Sequence, residues 1–283
     1  MLTSASGQII HNFFVISVVI EMRNIWAFAW GALVGVLGGL IGLGGAEFRL
    51  PVLVSIFNYR TLQAVIINLI VSLVTVAFSF IFRSGVIGLE DVAEHWAVIV
   101  NILAGSLIGS YRGVHYATQI SERTLHWIVV GFLIFLSMVL IGHNFIFSVG
   151  RLQLPIFLRI GFGFLAGIVI GIFSSMLGVA GGELIIPTII LLFAVDIKLA
   201  GSFSLAISIP TIVMGLFKYR SQQRLKEVKS EQKFIGSMAS GSILGAFVGS
   251  GLLRHVSSSL LYLILGTILL LSALKLAKHK PAA

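Results

Sequence analysis

Long apolar runs separated by short polar stretches recur along the whole chain. They fall near residues 25–43, 48–58, 62–82, 95–111 and 125–147, and again near 156–178, 184–195, 199–217, 234–252 and 258–276. About 20 apolar residues in an α-helix cross a hydrocarbon core about 30 Å thick, and most of these runs are that long. Transmembrane β-strands would alternate apolar and polar positions in segments of about ten residues. Stretches such as Thr124–Phe147 and Leu260–Leu276 do not alternate. The pattern predicts an all-α polytopic membrane protein with about eight to ten membrane-embedded helical segments. The runs at 48–58 and 184–195 are too short to span at about 1.5 Å per residue, so each is expected to join its successor in a broken or hairpin-like unit.

The two sets of runs are related. Shifted by 136 positions, Gly42-Leu43-Gly44-Gly45-Ala46-Glu47-Phe48-Arg49-Leu50-Pro51 lies over Gly178-Val179-Ala180-Gly181-Gly182-Glu183-Leu184-Ile185-Ile186-Pro187. The same offset pairs Gly31 with Gly167, Gly35 with Gly171, Ser72 with Ser208, Ser106 with Ser242 and Gly109 with Gly245. This organisation predicts an N-terminal lead-in over 1–24, a first transmembrane repeat over 25–150 and a second over 151–283. The lead-in is read as part of the mature protein, because Ile9–Ile20 carries His11 and Asn12 and lacks the basic flank of a signal peptide.

Charge orients the halves. The stretch 218–233 holds Lys218, Arg220, Arg224, Lys226, Lys229 and Lys233, and basic short loops stay in the cytoplasm. Its counterpart, 83–95, holds Glu90, Asp91 and Glu94 with one arginine, Arg83, and reads as outside. Corresponding loops on opposite faces mean inverted-topology repeats.

Composition agrees with a lipid-facing chain and narrows its chemistry. Of 283 residues, 58% are hydrophobic and 10% charged, against roughly 25% charged in soluble domains. The absence of cysteine excludes disulfides, thiolate metal sites and cysteine nucleophiles. A net charge of +9 would suit nucleic acid, but the basic residues are dispersed and cluster at helix ends, so no nucleic-acid partner is expected. His95, His126, His143 and His255 stand apart without ligand spacing, and neither a metal nor a cofactor is expected. No phosphate loop or dinucleotide fingerprint is present, and no credible nucleophile and base set marks an enzyme.

The candidate chemistry lies in the two glycine motifs. Irregular backbone survives in hydrocarbon only when buried in protein or lining a water-filled cavity, and matched discontinuous segments point to a transporter's substrate site. Amides freed at a helix start favour an anion. The turn residues Gly42, Gly44, Gly45, Gly178, Ala180, Gly181 and Gly182 are therefore candidate substrate contacts, with Pro51 and Pro187 as hinges. Small residues also let helices pack closely, and that reading is preferred for Gly105 with Gly109 and for Gly241 with Gly245.

Glu47 and Glu183 are candidate proton-coupling groups, since an intramembrane carboxylate is expensive and usually functional. Capping of nearby amides is the alternative. Arg49 could pair with Glu47, hold an oxyanion through bidentate hydrogen bonds, or snorkel to a headgroup. Asn68 and Ser72, like Ser204 and Ser208, lie four apart on one helix face and could offer neutral donors to the substrate.

From about Trp30 to Lys278 the chain resembles the sulfite exporter TauE/SafE family, also called the toluene sulfonate uptake permease group. The likeness rests on Gly42 to Pro51 and Gly178 to Pro187, a glycine-rich turn followed by aliphatic residues and a proline in each half. Ala46 and Arg49 depart from the family pattern. The resemblance implies transport of sulfur-containing anions such as sulfite, sulfoacetate or other organosulfonates across the cytoplasmic (inner) membrane. The expected partners are that anion and the lipid bilayer, with a homodimer as one allowed assembly. Together these readings predict a secondary transporter working by alternating access, outward and proton-coupled. An anion channel, a membrane scaffold and an intramembrane enzyme are the alternatives.

Overall fold

The computed structural model describes residues 2–119, 155–278 and scattered positions from 121 to 142. The apolar run at 125–147, with His126 and His143, lies largely outside the described residues. All regular structure among the described residues is helical. Among the continuously described residues the α-helices run as α1 (Leu2–Ile41), α2 (Ala46–Ser55), α3 (Thr61–Arg83), α4 (Leu89–Glu94), α5 (Trp96–Gln119), α6 (Ile156–Leu177), α7 (Gly182–Phe193), α8 (Ile197–Ser221), α9 (Gln232–Leu252) and α10 (Ser258–Lys278). A 3₁₀ segment, Arg224–Glu231, joins α8 to α9. Six stretches among the described residues are long and apolar enough to cross a membrane, drawn from α1, α3, α5, α6, α8 and α9. This is a polytopic helical membrane protein. Helix α1 continues without a break through residue 24, so the lead-in and the first span are one element.

Helix boundaries repeat the sequence offset. Helices α2 and α7 begin at Ala46 and Gly182, α3 and α8 at Thr61 and Ile197, α5 and α9 at Trp96 and Gln232, while α1 and α6 end at Ile41 and Leu177. Each pair is 136 residues apart.

Small residues decide which helices pair. Helix α1 lies along α9, and α5 along α6. A Cβ on Gly31, Gly35 or Gly39 would fall 2.1–2.4 Å from a backbone oxygen of α9, and one on Gly241, Gly245 or Gly249 2.0–2.1 Å from a backbone oxygen of α1. Gly105, Gly109 and Gly113 meet α6 in the same way. No side chain larger than hydrogen fits there, so the backbones touch. In lipid, where burial against water drives nothing between helices, such contact is a principal source of association.

The short helices α2 and α7 fold back at the glycine turns and pack on both the preceding and the following helix. A Cβ on Gly45 would meet Val34 of α1 at 2.5 Å, and one on Gly181 would meet Ile170 of α6 at 3.1 Å. Helices α3 and α8 cross the centre. Arg83 at the end of α3 donates to the carbonyl of Lys198 at the start of α8, at 2.6 Å, while Tyr59 just before α3 bonds Glu231 beyond the end of α8. The two central helices therefore run antiparallel.

Candidate functional site at the paired half-helices

The reversal of direction needs left-handed backbone. Gly42, Gly44 and Gly45 have φ of +90°, +81° and +68°, and Gly178 and Gly181 have +67° and +78°, values that glycine adopts without a Cβ clash. The two turns touch in the middle of the molecule. A Cβ on Gly44 would lie 3.2 Å from the Ala180 Cβ, and one on Gly182 3.0 Å from the Cα of Leu43. Gly42 is pressed against Gly201 of α8, and Gly178 against Val65 of α3.

Each turn opens into a half-helix whose second residue is a glutamate. Glu47 and Glu183 are 1% and 0% exposed, and their carboxyl groups come within hydrogen-bonding reach of each other. No donor satisfies any of the four oxygens. Pro51 and Pro187 lie four residues further on, inside α2 and α7, and cannot donate to the Glu47 and Glu183 carbonyls. The helices continue past both prolines.

Arg49 is fully buried and makes no ion pair with Glu47. Its Nη1 donates to Asn68 Oδ1 at 3.2 Å and Ser72 Oγ at 3.0 Å. Its Nη2 donates to Thr75 Oγ1 at 3.1 Å and, more weakly, to the Gly44 carbonyl and Ser242 Oγ at 3.4 Å each. Nε has no partner. The snorkelling alternative is excluded by this burial. Every partner of the guanidinium is a neutral oxygen.

The other half shows what the arginine displaces. Ser208 Oγ donates straight to the Ala180 carbonyl at 2.6 Å, and Ser106 and Thr211 bond each other at 2.7 Å. The residues 136 positions away from these are Ser72, Gly44, Ser242 and Thr75. There Arg49 stands between both pairs, where Ile185 stands in the second half. Asn68 Nδ2 donates to the Ala46 carbonyl at 2.7 Å, and Ser204 Oγ to the Gly42 carbonyl at 3.0 Å. All four polar candidates therefore meet the turns or Arg49, and Asn68, Ser204 and Ser208 spend donors on turn carbonyls in this conformation.

Two important residues escaped the sequence reading. Arg83 reads from the sequence as a loop charge, yet it is 1% exposed. It donates to the carbonyls of Gly39 and Leu40 at 3.1 and 2.9 Å, besides Lys198 and Ser202. It closes the last turn of α1, where carbonyls lack helical partners and the dipole end is negative. Removing it from the count leaves the 83–95 loop purely acidic. Tyr219, 136 residues later, is equally buried and donates to the Ser175 carbonyl at 3.0 Å. The offset that aligned the glycine motifs also aligns Arg83 with Tyr219, and was the signal available.

On the face carrying the 3₁₀ segment, α1 and the entries to α3 and α9 are tied together. Arg23 of α1 pairs with Glu231 and bonds the Tyr59 hydroxyl, which donates to Glu231 at 2.5 Å. The Arg23 guanidinium also lies 4.8 Å from the ring centre of Phe234, against which Phe57 and Tyr59 pack edge-on. Burial, and then the bond to Glu231, raise the Tyr59 pKa, so the phenol keeps its proton as a donor. The positions 136 residues away, Arg159, Val195, His95 and Val98, cannot build the same fastening.

A multi-pass helical membrane protein with two touching half-helices and charged groups sealed at its centre has the build of a transporter. The family model for the sulfite exporter TauE/SafE matches residues 8–140 and 162–283, and the chain belongs to that family of membrane transporters. No curated protein and no solved structure matches the chain significantly.

Proposed function

We propose that the protein is a secondary transporter of small sulfur-containing anions, such as sulfite, sulfoacetate or other organosulfonates, acting in the cytoplasmic membrane. The observation that carries this reading is the buried Arg49 with its all-neutral shell at the junction of the two turns. An oxyanion offers a guanidinium the same oxygen acceptors that Asn68, Ser72 and Thr75 now supply, and adds a countercharge. Anion binding would exchange those neutral partners for charged ones.

Glu47 and Glu183 are the coupling pair in this reading. Two unsatisfied carboxyls side by side hold one proton more readily than two negative charges, and their charge state alters the field at Arg49. The two halves are inverted repeats that rock about the junction, in the manner of inverted-repeat carriers. The shared offset of helix boundaries and the antiparallel course of α3 and α8 support this. Export is the direction that the family name favours.

The test is flux in proteoliposomes with labelled sulfite and sulfoacetate, with and without a pH gradient. Wild type should move at least one of them faster down an opposing proton gradient. Glu47→Gln and Glu183→Gln should each abolish gradient dependence. Indifference of wild type to every sulfur anion offered would sink the reading.

A further inference from the structure

Outside the central site, a cavity of about 350 Å³ opens between the ends of α5 and α8, lined among the described residues by Tyr111, Arg112, His115 and Lys218. The Lys218 ammonium lies 4.1 Å from the Tyr111 ring centre, which fixes its position through the negative face of the ring. No carboxylate lines the cavity among those residues, and neither Arg112 nor Lys218 has an acidic partner among them.

The place matters as much as the charge. Moved by 136 positions, Tyr111, Arg112, His115 and Lys218 become Phe247, Val248, Gly251 and Phe82. At that matching site Phe82 and Phe247 pack ring to ring at 5.3 Å, and Phe247 and Val248 are 63% and 51% exposed. One architectural position is thus filled by an aromatic pair at one end of the molecule and by a cation on an aromatic ring, with two further basic groups, at the other. Packing needs alone would be met by the apolar version. The basic version lies on the face of the strongly basic 218–233 stretch, which the positive-inside rule assigns to the cytoplasm.

We propose that this cavity binds the phosphate of an anionic phospholipid headgroup in the cytoplasmic leaflet. Basic pockets between helices on that side suit such headgroups. Arg112 and Lys218 supply charge, and the Tyr111 ring holds the ammonium at the rim. The exposed apolar side chains Ile108 and Phe217, about one helical turn or less from Tyr111 and Lys218 in sequence, would meet the acyl chains.

The experiment is native mass spectrometry and thermal melting of the purified full chain in detergent, titrated with phosphatidylglycerol, phosphatidylcholine or inorganic phosphate. Wild type should retain at least fivefold more phosphatidylglycerol than phosphatidylcholine and melt higher with the anionic lipid. The variant Arg112→Gln/Lys218→Gln should lose that preference, and Lys218→Arg should keep it. Should the double variant not fold, the single variant Arg112→Gln is read in its place and should weaken the preference. Equal retention of the two lipids by wild type, or an unchanged preference in the Gln variants, overturns the proposal. If inorganic phosphate at matched concentration reproduces the melting shift, the cavity is a site for soluble anions and the lipid assignment fails.

Discussion

Arg49 donates to Ser72 at 3.0 Å from a position held in the second half by Ile185, and that difference separates two clusters that share Ser72 with Ser208, Thr75 with Thr211 and Ser242 with Ser106. Where isoleucine stands, Ser208 reaches the turn carbonyl unaided. Where arginine stands, a cation has been threaded through the serine–carbonyl and threonine–serine contacts. The fold therefore tolerates the site without charge, which makes a structural purpose for Arg49 the weaker explanation.

Replacing Arg49 by isoleucine should accordingly leave stability within about 1–2 kcal/mol of wild type. Ile185 already fills the matching place in the second half, and Ser72 becomes free to bond the Gly44 carbonyl as its counterpart Ser208 bonds that of Ala180, which offsets part of the lost hydrogen bonding. Anion flux should fall to background. Thermal unfolding and proteoliposome flux on the same preparation check both halves of this expectation; full flux in Arg49→Ile would remove the arginine from the substrate site.

Arg83 and Tyr219 occupy matching places with unequal demands. Arg83→Met strands three carbonyls and a hydroxyl, and should cost about 3 kcal/mol or more, whereas Tyr219→Phe strands one carbonyl and should cost about 1 kcal/mol. Lysine cannot span the divergent acceptors of Arg83 and should not restore stability. Equilibrium unfolding in mixed micelles gives the ranking.

The glycine turns admit a paired test. Gly44→Ala meets φ of +81° and a Val76 methyl at 2.4 Å, and should destabilise by about 1–3 kcal/mol. Gly236, within α9, has no atom within 4 Å of its missing Cβ, so Gly236→Ala should be neutral or stabilising by up to about 1 kcal/mol. Similar melting temperatures for the two variants would contradict the assigned turn geometry.

Topology can be read directly because the chain contains no cysteine. Glu90 and Lys226 are both exposed. Single variants Glu90→Cys and Lys226→Cys should react with a membrane-impermeant maleimide from opposite faces of intact cells. Labelling from one face would refute the inverted orientation.

By itself the sequence determined the solvent, the helical class and the family. Each follows from local or repeated signals: apolar runs of spanning length, glycines that only a reversal or a backbone contact requires, and a motif recurring at one offset. The same offset anticipates helix ends from Ile41 and Leu177 to Trp96 and Gln232, because helix start and stop signals are local and recur at it. What only the tertiary structure decided is how charge is held. Arg83 reads as a loop residue until the end of α1 is brought over it. Arg49 reads as a partner of Glu47, an anion ligand or a headgroup anchor until α3 supplies neutral oxygens. Glu47 and Glu183, far apart in the chain, become neighbours only because two half-helices fold back to one point. Side-chain partners of this kind depend on which distant backbones touch, and in a membrane that is settled by close packing across the whole bundle.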